Sequence, residues 1–121
     1  MSKWNSPDTL SPVVTLDVIR TTAYYRSVIL GYRDARTERF ARGERVKPFE
    51  AFRRKAEMTL DRLGAATNLA DIAHFPGHRL EKLKGDRKGQ WSIRINNQWR
   101  ICFRWDEGAA GPAEVEIVDY H

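Results

Sequence analysis

The sequence has little of what marks a secreted or membrane-bound protein. Its single cysteine, Cys102, cannot form an internal disulfide bond, which favours a reducing compartment. No apolar run approaches the roughly 18–20 residues that a membrane span needs. The first residues also lack the basic and then apolar pattern of a secretory signal peptide. We therefore expect a cytoplasmic protein with no membrane partner.

Clustered metal ligands are scarce as well. His74 and His78 flank a Phe-Pro-Gly stretch, which breaks the helical spacing that would let two histidines share a metal. With one cysteine and no carboxylate cluster beside them, the two histidines do not predict a zinc site. We interpret both as turn or surface residues and expect no cofactor.

Positive charge is abundant, with 21 lysines and arginines against 16 acidic residues. Fifteen of the basic residues are arginine. The planar guanidinium group suits bidentate phosphate contacts and stacking on bases better than the lysine ammonium does. Two interpretations stay open at this point: an anionic partner, or a solvated basic surface with no specific partner.

The 121 residues suffice for one compact domain, and 41% of them are hydrophobic. Residues 1–28 are rich in serine, threonine and proline and show little helical periodicity. We expect them to form an N-terminal extension of uncertain order and residues 29–121 to form the folded domain. The extension is either a genuine segment or the result of a start codon assigned too far upstream.

The first elements of the domain are predicted from short patterns. Residues 28–33 resemble a strand. Asp34 can cap a short helix over residues 35–42, because its carboxylate can accept from the free backbone N–H groups of the first turn. Gly43 then ends this helix.

A longer helix is predicted to start near Pro48 and to end at Gly64. Its apolar residues recur at steps of three and four and form a core-facing stripe: Phe49, Phe52, Ala56, Leu60 and Leu63. Thr67 or Asn68 can cap a third, short helix that runs to His74.

Beyond Gly77 the pattern changes to alternation with a period of two, which indicates strands. Asn96-Asn97 is a plausible tight turn between two of them, because asparagine tolerates positive φ. A last strand is expected over residues 114–119. Apolar residues on the two central strands should face the core: Trp91, Ile93, Ile95, Trp99, Ile101, Phe103 and Trp105. The sequence therefore predicts an α+β fold, with two to three helices packed on a twisted, mainly antiparallel sheet of about four strands.

The other face of this sheet should carry Arg94, Arg100 and Arg104, with Cys102 among them as a packing residue. Like charges on adjacent strands are unfavourable unless something neutralises them. One interpretation is that the last-strand acids, Glu114 and Glu116, do so. The other is that the arginines bind a phosphate backbone.

Several motifs in the second half of the chain occur in a specific order: Leu-Lys-Gly-Asp-Arg at 83–87, Trp-Ser-Ile-Arg-Ile-Asn at 91–96, Gln-Trp-Arg at 98–100, and Val-Asp-Tyr-His at the C-terminus. Together they resemble HigB toxins, also called plasmid maintenance system killer proteins, of the RelE superfamily. The resemblance covers about residues 29–121 and implies a RelE-like fold.

The resemblance also implies a function. Such a protein is the toxin of a type II toxin–antitoxin system and a ribosome-dependent endoribonuclease that cleaves mRNA and inhibits translation. Its implied partners are mRNA, the ribosome and a HigA-like antitoxin with a helix-turn-helix domain, through which the complex binds operator DNA.

Metal-independent RNA cleavage needs a base for the 2′-hydroxyl, cations at the scissile phosphate and an acid for the leaving 5′-oxygen. Guided by the resemblance, we predict His121 as the acid–base group. Arg100 and Lys84 are predicted to stabilise the charge of the phosphate. Asp119 is expected to orient His121 or an arginine, and Tyr120 to stack on a base or donate to phosphate.

We further predict that Arg94, Arg104, Arg87 and Glu81 line the RNA path. Some members of the family carry a histidine where this chain has Glu81, so Glu81 is either the second acid–base group or an exposed strand residue. The alternative function is a catalytically degenerate HigB-like module that binds an antitoxin or RNA without cleaving.

Overall fold

The computed structural model describes residues 28–119, so the N-terminal extension up to residue 27 and the predicted site residues Tyr120 and His121 lie outside it. Three α-helices come first: α1 (Ala35–Ala41), α2 (Arg53–Ala65) and α3 (Leu69–Ala73). Four strands follow: β1 (Glu81–Lys82), β2 (Trp91–Arg94), β3 (Trp99–Arg104) and β4 (Ala113–Asp119). They form one antiparallel sheet in the order β1-β2-β3-β4, which confirms the predicted α+β fold.

The core lies between the helices and one face of this sheet. Ile93, Ile101 and Ile117 pair across β2, β3 and β4 as a fully buried row. This row belongs to one cluster with residues from all three helices, and the three predicted core tryptophans pack against its border. No helix within residues 28–119 has both the length and the apolarity to cross a membrane.

The helix ends follow the sequence signals in most places. Asp34 accepts a hydrogen bond from the Thr37 backbone N–H at 3.2 Å and so caps α1. Asn68 caps α3 by accepting from the Asp71 N–H at 3.0 Å. The expected start of the long helix at Pro48 is wrong in type, because residues Lys47–Phe52 form a 3₁₀ helix and α2 begins at Arg53.

The predicted first strand over residues 28–33 is also wrong in extent. It makes only an isolated parallel bridge between Tyr32 and Val115, because the chain must leave the sheet at Asp34 to start α1. On the same edge of β4, the Ile117 N–H donates to the hydroxyl oxygen of Thr37 at 3.1 Å. We call residues 28–33 the first segment. The first segment and α1 thus provide hydrogen-bond partners for backbone groups along the edge of the sheet at β4. Without them, this edge would be open to pairing with another chain.

The turn between β2 and β3 falls at the predicted place but has a different basis. Neither Asn96 nor Asn97 has positive φ. Instead, the Asn96 side-chain oxygen accepts from the N–H groups of Gln98 and Trp99, at 2.8 and 2.7 Å. The asparagine therefore acts through its side-chain acceptor and not through an unusual backbone conformation.

The prediction that His78 is a surface residue is wrong, since it is only 5% exposed. Its Nδ1 lies 3.3 Å from the Ile72 carbonyl oxygen, which can only accept, so Nδ1 carries the proton. Its Nε2 is buried without a hydrogen-bond partner among residues 28–119. Burial lowers the pKa of His78, and the positive charges of Arg62 and Lys55 lower it further, against the raising effect of the Ile72 bond.

The acceptor role of Thr37 can be tested by replacing it with valine. Thr37→Val leaves the buried Ile117 N–H without an acceptor and should lower the free energy of unfolding by about 1–3 kcal/mol. Thr59→Val is a matched control, because the equally buried Thr59 hydroxyl only donates back to the Lys55 carbonyl oxygen of its own helix. It should cost less than about 1 kcal/mol in urea denaturation. Equal losses for the two variants would contradict the edge-sealing role of Thr37.

The buried His78 predicts a loss of stability in acid. Because its folded-state pKa lies below its unfolded value near 6.5, the unfolded chain binds the proton more readily. Stability should therefore be complete above about pH 6.5 and fall as the pH drops towards the folded-state pKa. The free energy of unfolding, measured at several pH values between 7.5 and 5, should depend less on pH in His78→Gln. A pH slope in His78→Gln equal to that of the wild type would contradict the assignment.

Candidate functional site

We call the sheet face turned away from the helices the outer face. Alternate residues of a strand point to opposite sides of the sheet, and paired residues on neighbouring strands lie side by side. The side chains of the outer face therefore form rows across the strands. One row crosses all four strands through Glu81, Ser92, Cys102 and Glu116, which are successive partners. The next row contains Arg94, Arg100 and Val118.

Arg100 lies at the centre of the outer face with its side chain only 18% exposed. Its Nη1 donates to the Glu81 carboxylate at 3.1 Å and lies 3.5 Å from the Ser92 hydroxyl. The expected neutralisation by Glu114 or Glu116 is therefore wrong for Arg100, because Glu81 on β1 provides a carboxylate for it. Glu81 itself remains 57% exposed.

Arg94 is the direct cross-strand partner of Arg100, so two positive charges face each other on neighbouring strands. Their guanidinium groups diverge, since that of Arg94 donates to the Asn97 side-chain oxygen in the β2–β3 turn. Its backbone N–H is held by the His78 carbonyl oxygen at 2.6 Å. Within residues 28–119 Arg94 forms no ion pair with a carboxylate, and its Asn97 partner carries no charge to offset its own.

A second group of charges lies where β3 ends and β4 begins; we call it the carboxylate-bridged cluster. Glu114 lies 3.3 Å from Arg33 and 3.4 Å from Arg104, while Glu116 lies 3.6 Å from Arg33 and 3.3 Å from Arg87. The interpretation that Glu114 neutralises Arg104 is confirmed. Arg33 was not predicted as a site residue, because no local pattern shows that it meets β4.

Lys84 stands just after β1 and is exposed. Its carbonyl oxygen accepts from the Arg87 N–H at 3.3 Å in the short 3₁₀ turn Gly85–Arg87, and the Arg87 guanidinium also donates to the Gln90 side chain at 2.9 Å. The loop backbone is thereby held while the Lys84 ammonium remains open to solvent. Lys84 follows Glu81 by three residues in extended backbone, so strand alternation does not place its side chain on the same side as Glu81, and its role at the phosphate stays a prediction.

Asp119, the last described residue, pairs with Trp99 across β3 and β4. Strand alternation therefore places it on the helix side of the sheet edge, opposite to Arg100. Its carboxylate accepts from the Gln98 side-chain amide at 2.9 Å. Tyr120 and His121 follow directly, outside the described residues, and their roles stay predictions.

Cys102 packs with Leu83 and Val118 in a small apolar cluster on the outer face. Burial raises the pKa of its thiol to about 11, although Arg87 and Arg100 nearby act in the opposite direction. A thiol this basic and this buried is neutral near pH 7 and is a poor nucleophile. The interpretation of Cys102 as a packing residue is confirmed.

This environment predicts slow labelling of Cys102 by iodoacetamide at pH 8. The native protein should react about two orders of magnitude more slowly than the protein in concentrated urea, because the native thiol is both neutral and covered. Mass spectrometry of the alkylated chain measures both rates, and free glutathione serves as the reference thiol. Equal rates in the native and the unfolded protein would contradict the buried placement.

Comparisons with known proteins identify the family of the chain. The family described as "RelE-like toxin of type II toxin-antitoxin system HigB" matches residues 30–121. The chain is 45% identical over 51 residues to Toxin HigB-1 of Vibrio cholerae serotype O1, covering 42% of this chain and 54% of that protein. It is 40% identical over 63 residues to Endoribonuclease HigB of Proteus vulgaris, covering 50% of this chain and 66% of that protein. It thus spans between about half and two thirds of the length of these curated relatives. The chain belongs to the HigB family of RelE-like toxins of type II toxin–antitoxin systems.

Proposed function

We propose that this protein is an endoribonuclease toxin that cleaves mRNA on the translating ribosome and so inhibits translation in the cytoplasm. Membership of the HigB family and the likeness to a relative named Endoribonuclease HigB support the proposal. The proposed partner is a HigA-like helix-turn-helix antitoxin, through which the complex binds operator DNA.

The observation that carries the proposal is the pair Arg94 and Arg100, placed directly opposite each other on β2 and β3. Like charges in this arrangement oppose strand pairing unless an anion lies near them. Glu81 offsets part of this charge, and Arg94, which forms no ion pair with a carboxylate among residues 28–119, supports binding of an RNA backbone here. Arginine binds phosphate oxygens through charge-assisted hydrogen bonds, which suits this face to a polyanion.

We assign Arg100 and the exposed Lys84 to the charge that develops on the scissile phosphate, and Arg94 to the neighbouring backbone. Arg87 and Arg104, which belong to the carboxylate-bridged cluster, extend the proposed RNA path across that cluster. Their contribution should be smaller than that of Arg94, because Glu116 and Glu114 already offset their charge.

The proposed chemistry needs no metal. A base removes the proton of the 2′-hydroxyl, whose oxygen attacks the phosphorus while an acid protonates the departing 5′-oxygen. The products are a 2′,3′-cyclic phosphate and a 5′-hydroxyl end. We propose His121 as an acid–base group oriented by Asp119, with Tyr120 stacking on a base or donating to phosphate.

A second candidate function is binding without cleavage. It is favoured by the contact of Arg100 with Glu81, because the Glu81 carboxylate already accepts a hydrogen bond that the scissile phosphate would need. A catalytically degenerate module would bind an antitoxin or RNA through the outer face and would leave the RNA intact. The two functions differ in one product: only the nuclease generates new 5′-hydroxyl ends.

We expect Arg100→Ala to reduce cleavage by about 10²–10³, the cost of losing one donor to a developing anion. His121→Ala should cost about 10²–10⁴. The measurement is genome-wide mapping of 5′-hydroxyl ends on ribosome-bound mRNA after induction without an antitoxin.

The matched control is Arg54→Ala, which removes an exposed arginine of α2 in the helical layer and should leave cleavage unchanged. Wild-type cleavage by an Arg100→Ala/His121→Ala variant would contradict the site. If the wild-type protein arrested growth without producing new 5′-hydroxyl ends on mRNA, the binding module would be favoured.

A further inference from the structure

The two partners of the Glu81–Arg100 ion pair differ in their exposure to solvent. The Arg100 side chain is 18% exposed and held against the sheet, whereas the Glu81 side chain is 57% exposed. Glu81 also belongs to the shortest strand, at the sheet edge, where only two residue pairs connect β1 to β2. The arginine is therefore the fixed partner and the carboxylate the movable one.

We propose that Glu81 is an internal competitor for the RNA phosphate at Arg100 and thereby sets the affinity of the outer face for RNA. This inference rests on the proposed function. The Glu81 carboxylate takes the guanidinium donor that a phosphodiester would take, and it must withdraw when RNA is bound. Glu81 is then a residue that determines affinity rather than a catalytic group.

Competition follows from the chemistry of the two anions. A carboxylate and a phosphodiester both bind a guanidinium through charge-assisted hydrogen bonds to oxygen. With Nη1 3.1 Å from the Glu81 oxygen, a phosphate on the same donor would bring two negative charges close together. The limited exposure of Arg100 narrows the approach to its guanidinium, so a phosphate that approaches Nη1 competes with the Glu81 carboxylate for it.

Displacement of Glu81 is feasible because its ion pair is weak. An ion pair with one partner more than half exposed stabilises little, since water solvates the released carboxylate. Arg94, directly opposite Arg100, attracts the incoming phosphate and has no carboxylate partner within the described residues. RNA can therefore replace Glu81 at a small penalty.

The experiment measures affinity for a non-cleavable 2′-O-methyl RNA oligonucleotide in the full chain. Glu81→Gln keeps the size of the side chain and removes its charge. We expect it to tighten binding by about two- to fivefold, the range of an exposed ion pair. In the Arg100→Ala background the same change should have no effect, because the competition needs the guanidinium. Glu38→Gln, which removes an exposed carboxylate on α1 that is paired with Arg42, is the matched control and should leave affinity unchanged.

Unchanged or weaker binding by Glu81→Gln would overturn the inference. An equal gain in the Arg100→Ala background would also overturn it, since that gain would reflect general electrostatics. Lack of binding by the wild type and every variant would instead contradict the proposed function. In that case, titration with inorganic phosphate, followed by NMR at the Arg100 Nε–H, still tests whether Glu81 and phosphate compete for Arg100. Glu81→Gln must then lower the half-saturating phosphate concentration, and an unchanged value would overturn the competition.

Discussion

The burial of one sheet face beneath the helices is the constraint on which the rest of this structure depends. Ile93, Ile101 and Ile117 are fully buried and directly paired across three strands. Because strand residues alternate between faces, this row commits Arg94 and Arg100 to the opposite side. A shift of one residue in register would bury the arginines and expose the isoleucines, so the apolar core also enforces the charged face.

The outer face uses carboxylates in two ways. In the carboxylate-bridged cluster, Glu114 and Glu116 each contact two guanidinium groups and thereby join the first segment, the β1–β2 loop and β4. Glu81, by contrast, reaches Arg100 from an exposed edge strand. In the carboxylate-bridged cluster each acid thus serves two arginines from different segments of the chain. Beside Arg94, where we propose that RNA binds, the exposed Glu81 carboxylate contacts Arg100.

Predictions from the sequence succeeded where the cause was local and failed where it was distant. Asp34 was recognised as a helix cap because its acceptor serves an N–H three residues away. His78 was expected at the surface, since its neighbours are turn residues, yet it is buried beside the carbonyl group of Ile72. Arg33 was missed because its two carboxylate partners lie on β4, about 80 residues further along the chain.

The sequence by itself determined the order of helices and strands, the side chains that share each sheet face, and the resemblance to HigB toxins. These properties follow from periodicity and motif order, which are written along the chain. Only the tertiary structure decided that Arg100 contacts Glu81, while Glu114 and Glu116 contact Arg33 and arginines of other segments. Ion pairs form between groups within a few ångströms of each other, and strand order and register set those distances.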